Sequence, residues 1–217
     1  MPSFWENLRF AGGNPEQAGQ SYDENEGNES QDMVMYVSHP PPAAGADFPA
    51  IIVIQEAFGV TRHIEKVCDR FAQEGYVAIA PALFHREHPN PKLGYGDDDA
   101  PTRNRYMGAL RDDELIDDIN QVVIWTQSEQ FRRTNNQKIG IVGYCVGGRI
   151  TYLAATSCPG LSAASCYYPG RTLLPFGDGP APIDLTSQIK IPVMGNFGGQ
   201  DANPSPEDMA TIEAKLK

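Results

Sequence analysis

Lys138-Ile139-Gly140-Ile141-Val142-Gly143-Tyr144-Cys145-Val146-Gly147-Gly148-Arg149 carries the architecture of the whole chain. A short β-branched run meets a Gly-x-Cys-x-Gly-Gly turn, and apolar residues at helical spacing (Ile150, Leu153, Ala154) follow. This is the layout of a nucleophile elbow, a sharp strand-to-helix turn with a reactive side chain at its tip, here with cysteine where serine is more familiar. Gly143 and Gly147 lack a Cβ, so strand and helix can close on one another while Cys145 takes a strained backbone angle. The helix that follows aims its first N–H groups and positive end at the sulfur, favouring a thiolate and any developing oxyanion. A dinucleotide-binding turn does not fit: Gly140, Gly143 and Gly147 are not spaced Gly-x-Gly-x-x-Gly, and residues 149–177 hold no Asp or Glu for a ribose. The structural alternative is an inert buried cysteine in a tight turn.

Outward from this turn the chain alternates strands and helices. Ala50-Ile51-Ile52-Val53-Ile54 and Val77-Ala78-Ile79-Ala80 are continuous apolar runs, as expected of central strands covered on both faces. Between them Ile64, Val67, Cys68, Phe71 and Ala72 make one helical stripe, with Cys68 in the core and Gly75-Tyr76 as the stop. Leu115, Ile119, Val122 and Val123 mark a second helix before the elbow. Ala163-Ala164-Ser165-Cys166-Tyr167-Tyr168 and Ile191-Pro192-Val193-Met194-Gly195-Asn196-Phe197 are further strands. Residues 205–217 open another helix, with Pro206 near its first position and Glu207 and Asp208 in its first turn. The alternation predicts a doubly wound, mainly parallel sheet of the α/β class in one domain, residues 33–217. Met33–Ser38 alternates and reads as an edge strand, and residues 81–101 read as a loop.

The net charge of −11 is unevenly placed. Residues 1–32 hold seven acidic side chains against Arg9 alone, leaving −6 there and −5 elsewhere. These residues read as an acidic arm whose aromatic front (Phe4, Trp5, Leu8, Phe10) docks on the body or on a second subunit, giving a homo-oligomer. Acidity of this kind argues against nucleic acid and anionic membranes as partners. No 18-residue apolar run exists, and the first residues lack a signal-peptide pattern. Four widely spaced cysteines without a Cys-x-x-Cys pair read as reduced thiols of a cytoplasmic protein. They offer Cys145 no resolving partner nearby in sequence, which argues against thiol redox chemistry. His85, His88 and Asp97-Asp98-Asp99 invite a metal reading, but their spacing is irregular and a solvated loop explains them.

Glu56, Cys145 and Asp201 sit just past three different strands. In a parallel sheet those ends share one edge, so the three are expected to converge. A cysteine nucleophile needs a base, commonly a histidine oriented by a carboxylate, and Asp201 supplies such an orienter. Glu56 reads as a second carboxylate able to accept the thiol proton. The backbone N–H groups of Ala57 and Val146 are placed for an oxyanion hole. The bland alternatives are a loop carboxylate for Glu56 and a turn aspartate for Asp201.

Five blocks, Gln55-Glu56-Ala57-Phe58-Gly59, Gly75-Tyr76-Val77-Ala78-Ile79-Ala80-Pro81, the elbow, Cys166-Tyr167-Tyr168-Pro169-Gly170 and Gly199-Gln200-Asp201, together resemble the dienelactone hydrolase (carboxymethylenebutenolidase) family. The resemblance implies an α/β-hydrolase fold and hydrolysis of a small lactone or ester through an acyl-enzyme, with no metal or organic cofactor. It implies Cys145 as nucleophile, Asp201 as triad acid and Glu56 as the carboxylate that deprotonates the resting thiol. Arg103, Arg105 and Tyr106 resemble substrate-carboxylate contacts, and Tyr167 is expected to line the substrate site. The resemblance also places a triad histidine well beyond the aspartate, where none of His39, His63, His85 or His88 stands. The expectation is therefore a C-terminally incomplete sequence, lacking the last strand and helix. The alternative is a shortened relative serving as a binding or scaffold protein.

Overall fold

The computed structural model describes residues 1–8, 32–41, 48–128 and 134–217. In chain order these form β1 (Ser3–Leu8), β2 (Met33–Ser38), β3 (Phe48–Ile54), α1 (Arg62–Gln73), β4 (Val77–Pro81), α2 (Ala100–Ala109) and α3 (Asp112–Gln127). There follow β5 (Thr134–Tyr144), α4 (Val146–Ser157), β6 (Leu161–Tyr167), β7 (Val193–Asn196) and α5 (Pro206–Leu216), with short 3₁₀ turns at Asp97–Asp99 and Pro182–Gln188. The strands make one sheet in the order β1-β2-β4-β3-β5-β6-β7, in which β3 to β7 are mutually parallel and β2 is antiparallel to both its neighbours.

The pleat sorts the apolar runs onto two faces. Ile52, Ile54, Val77, Ile79, Ile139 and Ile141 meet Leu115, Ile119 and Val122 of α3 and Ile150 and Leu153 of α4. Their chain neighbours Val53, Ala78, Ala80 and Val142 face the other way, onto Ile64, Val67 and Cys68 of α1. Two-sided burial is why β3 and β4 read as unbroken apolar segments rather than alternating ones. The chain leaves β3 for β4 on one side and returns to β5 on the other. The carboxyl ends of β3 and β5 therefore flank a topological switch point, where open α/β sheets form their crevice.

Two segments differ from the sequence reading. Met33–Ser38 is not an edge strand: all six residues are buried, and Ser3–Leu8 pairs along its outer side from Ser3 opposite Ser38 to Leu8 opposite Met33. Phe4, Trp5 and Leu8 of the aromatic front thus dock on their own chain as a strand, with the Trp5 ring 5.4 Å from Tyr36 and Phe4 6.1 Å from His39, while Phe10 lies outside the described residues. The acidic remainder, residues 9–31, lies outside the described residues, as do residues 42–47. The long loop after β4 ends earlier than expected, at Asp97, and Arg103, Arg105 and Tyr106 stand on helix α2. That helix lacks an apolar stripe, so hydrophobic periodicity could not reveal it. Among the described residues no helix is long and apolar enough to cross a membrane.

The turn from β5 into α4 is held by backbone proximity. A Cβ on Gly143 would overlap the Gly147 carbonyl, and one on Gly147 would overlap the Gln55 and Ile54 carbonyls of the neighbouring strand end. Backbone atoms cannot swing aside as a flexible side chain would. Gly147→Ala is therefore expected to destabilise the protein by about 3 kcal/mol, the upper range for overpacking, measured by urea unfolding against wild type.

Candidate active site

Cys145 joins β5 to α4 with φ 59° and ψ −122°. A side chain other than glycine in this region costs on the order of 1–3 kcal/mol and persists only where its surroundings over-determine it. Here they do. The Cys145 N–H donates to the Tyr167 carbonyl at 3.1 Å, and its own carbonyl accepts from Gly148 at 2.9 Å and Arg149 at 3.3 Å. The side chain is half-buried.

Opposing influences act on the sulfur. Burial pushes the thiol pKa up most strongly, and the charges of Glu56 and Asp201 push in the same direction. The backbone N–H groups of Val146 and Ala57 both reach the sulfur and pull the other way. The net displacement is upward, so the resting group is a thiol. Two amides from different elements, one heading α4 and one following β3, thus converge on the Cys145 sulfur.

Glu56 is half-buried in a narrow turn closed by its bridge to Gly59. Asp201 lies in the turn after β7, its N–H donating to Gly198 at 3.1 Å. Both act on the Cys145 sulfur electrostatically, so three strand ends do meet at one edge. Of the other residues singled out in the sequence, Arg103 stands on α2 with its guanidinium 5.3 Å from the Phe58 ring centre, beside the Glu56–Phe58 turn. Its Nη1 is buried with no hydrogen-bond partner among the described residues. Arg105 and Tyr106 are not gathered with it. Arg105 is exposed, 3.5 Å from Glu87, and lies over the ring of Tyr106, which is itself buried against Phe84. Tyr167 gives its carbonyl to Cys145, but its ring stacks on Tyr144, 5.0 Å away.

The tyrosine that reaches the carboxylate is its neighbour. The Tyr168 hydroxyl is 3.5 Å from Glu56 Oε1, and burial followed by the Glu56 charge pushes its pKa up to about 12. Successive side chains at a strand end point to opposite sides, a signal that could have separated the two tyrosines.

Sequence reasoning also missed Arg149. Wholly buried, it forms a bidentate pair with Asp112 at the head of α3, at 2.6 and 2.9 Å. It donates further to the carbonyls of Arg171 and Leu174 and packs 3.6 Å from the Phe176 ring centre. The Asp112 carboxylate in turn accepts the Phe176 N–H at 2.9 Å. One cluster thereby ties the first turn of α4 to α3 and to the chain after β6.

The four histidines lie elsewhere. His85 is buried beside Asp118 at 3.2 Å, where Arg86 also pairs with the carboxylate. His39 is buried with Nδ1 2.6 Å from the Pro40 carbonyl, and His63 and His88 are exposed. Among the described residues no group of three or more His, Cys, Asp or Glu is arranged to hold a metal ion.

A mainly parallel sheet with a strained cysteine turn between a central strand and the helix behind it defines an α/β-hydrolase-like protein. A profile of the dienelactone hydrolase family matches residues 34–217. A "Putative carboxymethylenebutenolidase" of Salmonella typhimurium is 35% identical over 195 residues, covering 88% of this chain and 68% of that protein. A "Carboxymethylenebutenolidase" of Pseudomonas putida is 26% identical over 160 residues, covering 73% of this chain and 63% of that one. In three dimensions the chain is similar to a "Putative Dienelactone Hydrolase" from Klebsiella pneumoniae, with a TM-score of 0.74 and 29% identity over 99% of this chain and 80% of the other. The chain belongs to the dienelactone hydrolase family.

Two measurements probe this site. Because the thiol pKa is raised, iodoacetamide labelling of Cys145 should accelerate with pH through and beyond the ordinary cysteine value of about 8.5. Glu56→Gln removes a charge that raises the thiol, so the same curve should move to lower pH. Separately, Asp112→Ala leaves the buried Arg149 cation without its partner and should cost about 3–5 kcal/mol in urea unfolding.

Proposed function

We propose that the protein hydrolyses a small lactone or carboxylic ester, with Cys145 as nucleophile and a thioester acyl-enzyme as intermediate. One observation carries this reading: the strained cysteine holds its sulfur between the Ala57 and Val146 amides, with two carboxylates close by.

The resting thiol is a poor nucleophile, and substrate binding brings Glu56 into use. The Sγ proton passes to the Glu56 carboxylate, and the thiolate attacks the carbonyl carbon. The C–O π electrons move onto oxygen, and the Ala57 and Val146 N–H groups hold the oxyanion that results. Its collapse breaks the acyl C–O bond, opening a lactone or releasing an alcohol, and the departing oxygen takes up the proton that left sulfur. Water then attacks the thioester, restoring the thiol and giving a carboxylic acid. Asp201, whose charge reaches the sulfur, would orient a proton-carrying base. The unpartnered buried Nη1 of Arg103 suits a substrate that itself carries a carboxylate, since a bidentate guanidinium contact would satisfy it.

A second reading is a binding or scaffold protein that keeps the cleft without turnover. The burial of His39 against Pro40 and of His85 against Asp118, with His63 and His88 exposed, favours it. An assay of the full-length protein against a panel of lactones and aryl esters separates the two. Turnover is expected in wild type, with kcat falling at least about 10³-fold in Cys145→Ala. Equal rates in both proteins would refute the nucleophile. Stoichiometric labelling of Cys145 with no turnover of any ester would establish the second reading.

A further inference from the structure

Non-glycine residues at positive φ follow two adjacent strands: Cys145 at 59° after β5, and Tyr168 at 37° and Arg171 at 64° after β6. The charge of one carboxylate, Glu56 just past β3, acts on both Cys145 and Tyr168. The turn that bends Tyr168 into place is fastened on two sides. Its N–H donates to Asn196 at 2.7 Å, and the Arg171 N–H donates to Asn203 Oδ1 at 3.1 Å, both in the segment that carries Asp201. The Arg171 carbonyl accepts from Arg149 Nε at 3.2 Å, in the helix headed by Cys145. A strained backbone braced in this manner serves to aim a side chain, and what Tyr168 aims is its hydroxyl.

That hydroxyl is the one side-chain donor to the Glu56 carboxylate among the described residues, the Gln55 amide reaching only the Glu56 backbone carbonyl. At 3.5 Å the contact is long, as hydrogen bonds at reactive centres are before substrate tightens them. Building on the reading of Cys145 as nucleophile and Glu56 as proton acceptor, we propose that Tyr168 is a positioning residue whose hydroxyl holds the Glu56 carboxylate in register with the thiol. With Oε1 taken by the Tyr168 proton, Oε2 is left to receive the proton from Sγ. A phenol pushed up to about 12 stays protonated, and so stays a donor, across the neutral range.

The test uses Tyr168→Phe, alone and combined with Glu56→Gln, in the full-length protein with p-nitrophenyl acetate as substrate and Cys145→Ala alongside. Phenylalanine keeps the ring beside Tyr144 and Tyr167, each 6.5 Å away. Thermal melting checks the fold, and iodoacetamide labelling of Cys145 reports an intact site independently of turnover. The expected result is a roughly tenfold fall in kcat, the scale of one hydrogen bond to a charged group, with KM unchanged. In the Glu56→Gln background the same substitution should change kcat less than about twofold, because a residue acting through Glu56 has nothing left to position. An unchanged kcat in Tyr168→Phe, a loss confined to KM, or an equal tenfold loss in both backgrounds would overturn the proposal. Should Cys145→Ala keep full activity, the underlying nucleophile reading fails first and takes this one with it.

Discussion

The first turn of α4 rests directly on the backbones of β3 and β5, with no side chain between them at Gly143 and Gly147. This close approach is the constraint on which the carboxyl edge depends. It lets the chain reverse within one residue, which puts Cys145 at a positive φ and lifts its side chain clear of the sheet. It also brings the free Val146 amide to the sulfur from one side while the Ala57 amide arrives from the other. A helix standing even one side chain further off would separate the two donors.

The electrostatics of the cluster follow from that geometry. Helix start and amides favour negative charge on sulfur, whereas burial and two carboxylates oppose it. In the unliganded protein the opposition prevails. A thiol kept protonated is less prone to oxidation and stray alkylation than a standing thiolate, because the thiolate is the reactive form. Glu56, one of the two carboxylates that keep the thiol protonated, is itself held by a turn and touched by Tyr168.

Much of this was legible in the sequence, and the exceptions have physical causes. The unbroken apolar runs of β3 and β4, the stripe of α1 and the Gly-x-Cys-x-Gly-Gly turn are local patterns, and each became the element it predicts. In sequence β1 reads as an arm because its partner β2 lies beyond a long acidic stretch, and only pairing makes Ser3–Leu8 a strand. α2 has no apolar period to find. Glu56, Cys145 and Asp201 could be brought together because a parallel sheet forces its strand ends to one edge. Tyr168 rather than Tyr167 reaches Glu56 because successive side chains alternate at the end of β6, a phase that depends on where the strand ends. Arg149 was hidden for a related reason: a basic residue after two glycines reads as surface until its partner, far upstream at Asp112, is known.

The Arg149–Asp112 pair also affects how natural variation in this chain should be read. Asp112 makes no contact with the sulfur, yet its carboxylate holds the helix that carries the sulfur and the strand exit that carries Tyr168. A genetic screen for lost activity would thus return position 112 beside position 145. On the proposed reading the two classes would look alike in a plate assay and separate only when protein abundance is measured, since one damages the frame and the other would damage the reaction.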